Sequence, residues 1–150
     1  MSGGHCHEPP PSAAGHLEPY GIRATLRCGP SAADARLLLA TLLEGLAAEC
    51  VAAGATVIGH LKCLLHLDGG TLACNLTSVR GGASCGAWSE GTPAWLKPGE
   101  TARLDLAVLV YGLSADVIDG LVRARLSDAV ARHGGAWTVD AAGDTGHRHP

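Results

Sequence analysis

The sequence has 150 residues, 47% of them hydrophobic, and a formal net charge of −3. This length suffices for one domain with a hydrophobic core but is short for two. The negative charge argues against nucleic-acid binding and against electrostatic membrane binding, because both need a concentration of basic residues. The sequence also shows neither an apolar run of the roughly 20 residues that span a membrane nor a signal peptide. We therefore expect a cytoplasmic protein.

Both ends of the sequence are predicted to be flexible tails around one folded domain. Residues 1–20 contain Pro9-Pro10-Pro11 among glycine, serine and alanine, a composition that disfavours helix and strand. Residues 140–150 contain two glycines and two histidines without apolar periodicity. The folded domain is therefore predicted to cover residues 21–139.

The domain begins with a predicted strand and a predicted helix. Residues 21–28 alternate between apolar and polar side chains, which is typical of a half-buried strand. Gly29-Pro30 ends this strand, and Ser31 is placed to cap a helix that ends at Gly54. Apolar residues at helical spacing predict the buried side of this helix, including Leu37, Leu38, Leu42 and Leu46.

A β-hairpin is predicted around Asp68-Gly69-Gly70, because this turn separates two apolar segments, residues 56–67 and 71–78. Alternation divides the hairpin into a core face and a mostly polar face. The predicted core side chains are Leu61, Cys63, Leu65, Leu67, Leu72, Cys74 and Leu76.

Residues 79–100 are predicted to form a long glycine-rich loop, which is uncommon in compact domains and often functional. A strand follows over residues 101–112, and Ser114 caps a second helix. The element order is β-α-β-β-β-α, with a further short strand near residues 137–139. We expect an α+β fold, a two-layer sandwich in which two helices cover one face of a mainly antiparallel sheet.

The helix-free face of this sheet is the first candidate site. It combines imidazole, ammonium, carboxylate and phenol groups, which could bind an anion or transfer a proton. The candidate residues are His60, Lys62, His66, Asn75, Thr77, Asp105 and Tyr111, with Arg23 and Arg27 nearby. His60 and His66 cannot hold one metal ion together, because six residues of strand separate them by roughly 20 Å. The alternative is an ordinary solvated sheet face.

The N-terminal tail is a candidate metal site. His5, Cys6 and His7 place imidazole and thiol groups side by side, and these ligands suit Ni²⁺, Zn²⁺ or copper ions. The spacing does not match a structural zinc site, which usually draws on two separated ligand pairs.

The loop over residues 79–100 is the third candidate, through Arg80, Cys85, Trp88 and Trp95. It lacks the pattern of a phosphate-binding P-loop, whereas its tryptophans suit a partner surface. In a cytoplasmic protein all six cysteines are expected to be reduced. We expect Cys28, Cys50, Cys63 and Cys74 to fill the core. Cys85 is then the best candidate for a reactive thiol, with His60 or His66 as its base.

Three functions from different classes fit these features. We favour a small accessory module that binds a partner protein, or associates with itself, through the open sheet face or the loop. The first alternative is a metal-handling accessory protein for a metalloenzyme, with a Ni, Zn or Cu ion on the N-terminal tail. The second is a small enzyme with a histidine, lysine and cysteine site on the sheet face, although no complete catalytic constellation can be recognised.

Overall fold

The computed structural model describes Leu17 and residues 19–87 and 92–140. Within these residues the chain forms eight strands and two helices. The strands are β1 (Tyr20–Arg27), β2 (Ala33–Asp34), β3 (Val57–Leu67), β4 (Gly70–Leu76), β5 (Ser84–Ala87), β6 (Trp95–Leu96), β7 (Thr101–Tyr111) and β8 (Ala136–Val139). The helices are α1 (Ala35–Ala52) and α2 (Ala115–Ala131).

Six strands form one sheet in the order β5-β4-β3-β7-β1-β8, and each neighbouring pair is antiparallel. Helix α1 packs on β3, β4 and β5, whereas α2 packs on β1 and β8, and the helices also contact each other. This arrangement confirms the predicted α+β sandwich with a mainly antiparallel sheet. The predicted hairpin and the short strand β8 are both present.

The core lies between the sheet and the helices, because alternate strand residues point toward the helical layer. On β7 these residues are Ala102, Leu104, Leu106, Val108 and Val110, all buried. The inward side chains of β3 and β4 are buried as well. The predicted division of the hairpin into a core face and a polar face is therefore confirmed, and β7 alternates in the same way.

The start of α1 differs from the prediction. Asp34, not Ser31, caps the helix, and its side chain accepts a hydrogen bond of 3.0 Å from the Leu37 backbone N–H. Residues 33–34 stay extended because Ala33 and Asp34 pair with Leu96 and Trp95 in a second, two-stranded sheet. Leu37 points outward, with 62% of its surface exposed, so its predicted burial is wrong. Leu39 and Leu43 are buried instead.

The predicted 79–100 loop contains two short strands. β5 adds a sixth strand to the main sheet beside β4, and β6 pairs with β2 near the start of α1. Both strands were hidden in the sequence, because neither is long enough to show alternation. Neither α1 nor α2 is both long enough and apolar enough to cross a membrane.

Candidate functional site on the open sheet face

The face of the main sheet that points away from the helices is called the open face below. Its side chains alternate with the core residues along each strand. The described polar residues that it carries are Arg23, Thr25, Arg27, His60, Lys62, His66, Thr71, Asn75, Ser84, Thr101, Arg103, Asp105, Tyr111 and Thr138.

Asp105 is the centre of a cluster on this face. One carboxylate oxygen lies 2.7 Å from Arg23 Nε, and the other lies 2.9 Å from His66 Nε2 and 3.8 Å from Arg103 Nε. These four residues are called the Asp105 cluster. The carboxylate is 27% exposed and His66 is 31% exposed, so the cluster is partly shielded from solvent yet open to a partner.

Strand register brings the Asp105 cluster together. Strand β7 lies between β1 and β3, so Arg23 stands directly opposite Asp105, and His66 stands opposite Arg103 two positions along β7. Cross-strand neighbours of opposite charge at this spacing attract each other. The cluster therefore joins residues 82 and 39 positions apart in the sequence.

The electrostatics of the Asp105 cluster favour the ionised carboxylate. Burial alone would raise the pKa of Asp105, but the hydrogen bonds from Arg23 and His66 and the charges of Arg23 and Arg103 outweigh it. The pKa of Asp105 therefore lies below its usual range. The hydrogen bond with Asp105 and its negative charge raise the pKa of the Arg23 guanidinium in turn.

This low pKa makes part of the stability dependent on pH. The variant Asp105→Asn should lose about 1 kcal/mol of unfolding free energy at neutral pH, since the pair is partly exposed. Because the folded pKa is depressed, this contribution is present above the unfolded pKa of about 3.9 and is lost as pH falls through the folded value. Urea unfolding from about pH 7 to about pH 3 should show the two proteins converging in stability. A difference in unfolding free energy that stays constant with pH would contradict the lowered pKa of Asp105.

His66 is fixed from both sides. Its Nε2 faces the Asp105 carboxylate, and its Nδ1 lies 3.3 Å from the Thr71 hydroxyl. In neutral His66 the proton then resides on Nε2, because an ionised carboxylate only accepts, and the Thr71 hydroxyl donates to Nδ1. A hydroxyl, an imidazole and a carboxylate in sequence are the arrangement in which a carboxylate orients an imidazole as a general base. The two partners hold the imidazole ring in one orientation on the open face.

The other predicted face residues lie outside the Asp105 cluster. Tyr111 lies six positions from Asp105 along β7, or roughly 20 Å, and His60 stands opposite Leu109, four positions from Asp105, or roughly 13 Å. Gly59 forms a β-bulge before His60, where an added Cβ would lie 2.8 Å from the Leu109 carbonyl oxygen. Lys62 and Asn75 stand opposite each other across β3 and β4.

Three further residues correct the predicted set. Thr77 lies beyond the end of β4 and outside the sheet, so its placement on the face is wrong. Arg103, a member of the Asp105 cluster, and Thr71, which contacts His66, were missing from the predicted site. Alternation could have identified both, because Arg103 is two positions from Asp105 and Thr71 is two positions from Ala73.

The predicted loop residues lie on different elements in the described part of the chain. Arg80 is exposed in the turn before β5, and Trp95 on β6 is 55% exposed. Trp88 lies outside the described residues. Cys85 forms a disulfide with Cys74, so the predictions that all six cysteines are reduced and that Cys85 is a free reactive thiol are wrong. The sequence did not show this pair, because it depends on the β4–β5 register.

The described residues contain no group of three or more histidine, cysteine or acidic side chains able to hold a metal ion. His5, Cys6 and His7, the predicted metal ligands, lie outside the described residues. The tail hypothesis for a Ni, Zn or Cu ion therefore stays a prediction from the sequence.

Charge on the open face differs from that of the whole chain. Four cations, Arg23, Arg27, Lys62 and Arg103, share it with Asp105 and with Asp140, which accepts a hydrogen bond from Thr25 at its edge. This is an excess of two positive charges in a chain of net charge −3. Within the described part of the chain, Arg27 and Lys62 form no ion pair.

These features are the basis for a functional inference from the molecule itself. The chain matches no protein-family model, no curated protein and no solved structure.

Proposed function

We propose that this chain is a binding module whose open sheet face docks an extended acidic segment of a partner protein. The observation that supports this proposal most strongly is the excess of cations on that face of an otherwise acidic chain. A local concentration of one charge attracts a partner of the opposite charge and orients it during encounter.

The Asp105 cluster divides the cations into two groups. Arg23 is already paired with Asp105 at 2.7 Å and serves to hold the carboxylate in place. Arg103 is only loosely engaged, at 3.8 Å, and Arg27 and Lys62 form no ion pair among the described residues. These three side chains are free to bind carboxylates of a partner, and arginine can do so through two hydrogen bonds.

The spacing of these cations favours an extended peptide over a small anion. Lys62 on β3 pairs with Ala107 of β7, and Arg27 on β1 pairs with Thr101 of β7. Arg103 lies on β7 between these two positions. The span from Ala107 to Thr101 is roughly 20 Å, the length of about six residues of extended chain. One small anion cannot contact cations that far apart, whereas a strand of acidic residues can.

Binding of a labelled oligoglutamate peptide of about eight residues tests the proposal. The wild type should bind it saturably, with an affinity that falls as salt screens the charges. The double variant Arg27→Glu/Lys62→Glu should bind at least about tenfold more weakly, or about 1.4 kcal/mol. Fluorescence anisotropy measures both affinities.

The matched control is Arg36→Glu/Arg80→Glu, which changes the net charge equally but lies on α1 and in the turn before β5. It should bind the peptide like the wild type. Equal losses in both double variants would show non-specific charge attraction. A loss in the control alone would place binding on the surface that carries Arg36 and Arg80 instead of the open face. Tighter binding of duplex DNA or oligolysine would contradict an acidic protein partner.

A further inference from the structure

Three cysteines lie in one row across the side of the sheet that faces the helices. Cys63 on β3 stands opposite Cys74 on β4, and Cys74 stands opposite Cys85 on β5. Cys74 and Cys85 form a disulfide between residues 11 positions apart. The third cysteine of the row, Cys63, remains a free thiol.

The disulfide is the main side-chain link between β5 and the rest of the domain. β5 has four residues and forms the edge of the sheet beside β4. Ser84 is exposed, and a Cβ added at Gly86 would meet no atom within 4 Å. Besides its ladder with β4 and its packing on α1, the segment is held by the Ala83 backbone N–H, which donates to the Glu44 carboxylate at 3.0 Å.

The buried thiols of Cys50 and Cys63 are poor partners for exchange with this disulfide. Burial, with a smaller effect of the Glu49 charge, raises the pKa of Cys50 to about 11. Burial raises the pKa of Cys63 to about 12, although a hydrogen bond to the Cys74 backbone acts in the opposite direction. The species that attacks a disulfide is the thiolate, and the raised pKa keeps Cys63 protonated. Cys63 therefore does not attack the disulfide, although it stands beside Cys74.

We propose that Cys74–Cys85 is a reversible redox site, opened by a dithiol reductant, whose reduction releases edge strand β5 from β4. Cys85 is the accessible partner, since it is partly exposed whereas Cys74 is fully buried.

The exchange proceeds in two displacements. A reductant thiolate attacks the Cys85 sulfur, which breaks the Cys74–Cys85 bond and leaves Cys74 to take up a proton. In the mixed disulfide, the second thiol of the reductant then attacks the reductant sulfur that is bonded to Cys85. Cys85 leaves as a thiolate and takes up a proton. The chain gains two electrons and two protons, and the dithiol becomes a disulfide.

Release of β5 changes the edge of the sheet. Leu72 and Cys74 on β4 are fully buried, and β4 would become the outer strand once β5 detaches. Unpaired strand edges exchange amide hydrogens readily and bind other strands. The central strands β3, β7 and β1 keep both of their neighbours, so the effect is confined to this edge.

Thiol titration and hydrogen exchange on the full chain test the proposal, with dithiothreitol as the dithiol. In native buffer, dithiothreitol should expose two additional titratable thiols. Reduction should also accelerate amide exchange in Ser84–Ala87 by about tenfold or more, while β7 stays protected. The variant Cys74→Ala/Cys85→Ala should show the fast exchange without reductant, and Cys85→Ser serves the same purpose if the double variant does not fold.

Cys50→Ala is the matched control, because it removes a buried thiol that is not in the disulfide and should leave β5 exchange dependent on reductant. Three results would overturn the proposal. The protein purified without reductant could already have all six cysteines as thiols, the disulfide could resist dithiothreitol until the protein is denatured, or β5 could exchange equally with and without reductant.

Discussion

Replacing Gly29 with alanine should lower the free energy of unfolding by about 3 kcal/mol or more. Gly29 follows β1 where that loop crosses the end of α2. A Cβ at this position would lie 2.1 Å from the His133 carbonyl oxygen and 2.7 Å from the Gly134 carbonyl carbon. Both are backbone atoms, so no side chain can rotate away, and the two segments must separate.

Gly120→Ala is the control for this substitution. Gly120 lies within α2, and a Cβ there would meet no atom within 4 Å. Alanine stabilises a helix interior relative to glycine, so this variant should gain roughly 0.5–1 kcal/mol. Urea unfolding of both variants measures the changes. Similar changes in unfolding free energy for the two variants would show that the close backbone approach at Gly29 does not limit stability.

Replacing Leu104 with alanine should cost about 3 kcal/mol, within the range of roughly 2–5 kcal/mol for buried leucines. Leu104 lies at the middle of the sheet, fully buried on β7. Strands β1 and β3 flank it at Ala24 and Leu65, both also fully buried. Because close-packed neighbours relax only partly around a deleted side chain, the substitution leaves a cavity in addition to the lost burial.

Leu109→Ala is the matched control on the same strand. Leu109 points to the open face and is 36% exposed, so its truncation should cost less than about 1 kcal/mol. Unfolding free energies of the two variants report directly which face of β7 is covered by helices. Equal losses would mean that the open face is covered as well, and the proposed docking surface would then be wrong.

The two proposals concern opposite sides of one sheet. The cations proposed to bind an acidic peptide point away from the helices, whereas Cys74 and Cys85 are on the helical side. Peptide binding should therefore survive Cys85→Ser, and the disulfide should form in Arg27→Glu/Lys62→Glu. Each proposal can fail without the other, because they share no side chain.

Much of the fold was predictable because its signals are local. Alternation along β7 identifies its buried residues, and Asp68-Gly69 closes the hairpin where the two apolar segments meet, with a positive φ of 105° at Gly69. Ser114 caps α2 as predicted, since its side chain accepts from the Val117 backbone N–H. These features depend on residues within a few positions of each other.

Other features were set by partners distant in the sequence. The cap of α1 moved from Ser31 to Asp34 because β6, more than 60 positions later, pairs with residues 33–34. The disulfide depends on β5 folding back beside β4. Neither pairing leaves a pattern in the sequence, because strands of two and four residues are too short to show one.

The candidate site likewise combines features set by local sequence with features set by residues distant in the sequence. Alternation along the strands predicts a polar sheet face and identifies Asp105, His66 and Lys62 as members of it. The contacts of Asp105 with Arg23 and His66, and the separation of His60 and Tyr111 from them, follow from the folded sheet, because strand order and register determine which outward side chains become neighbours.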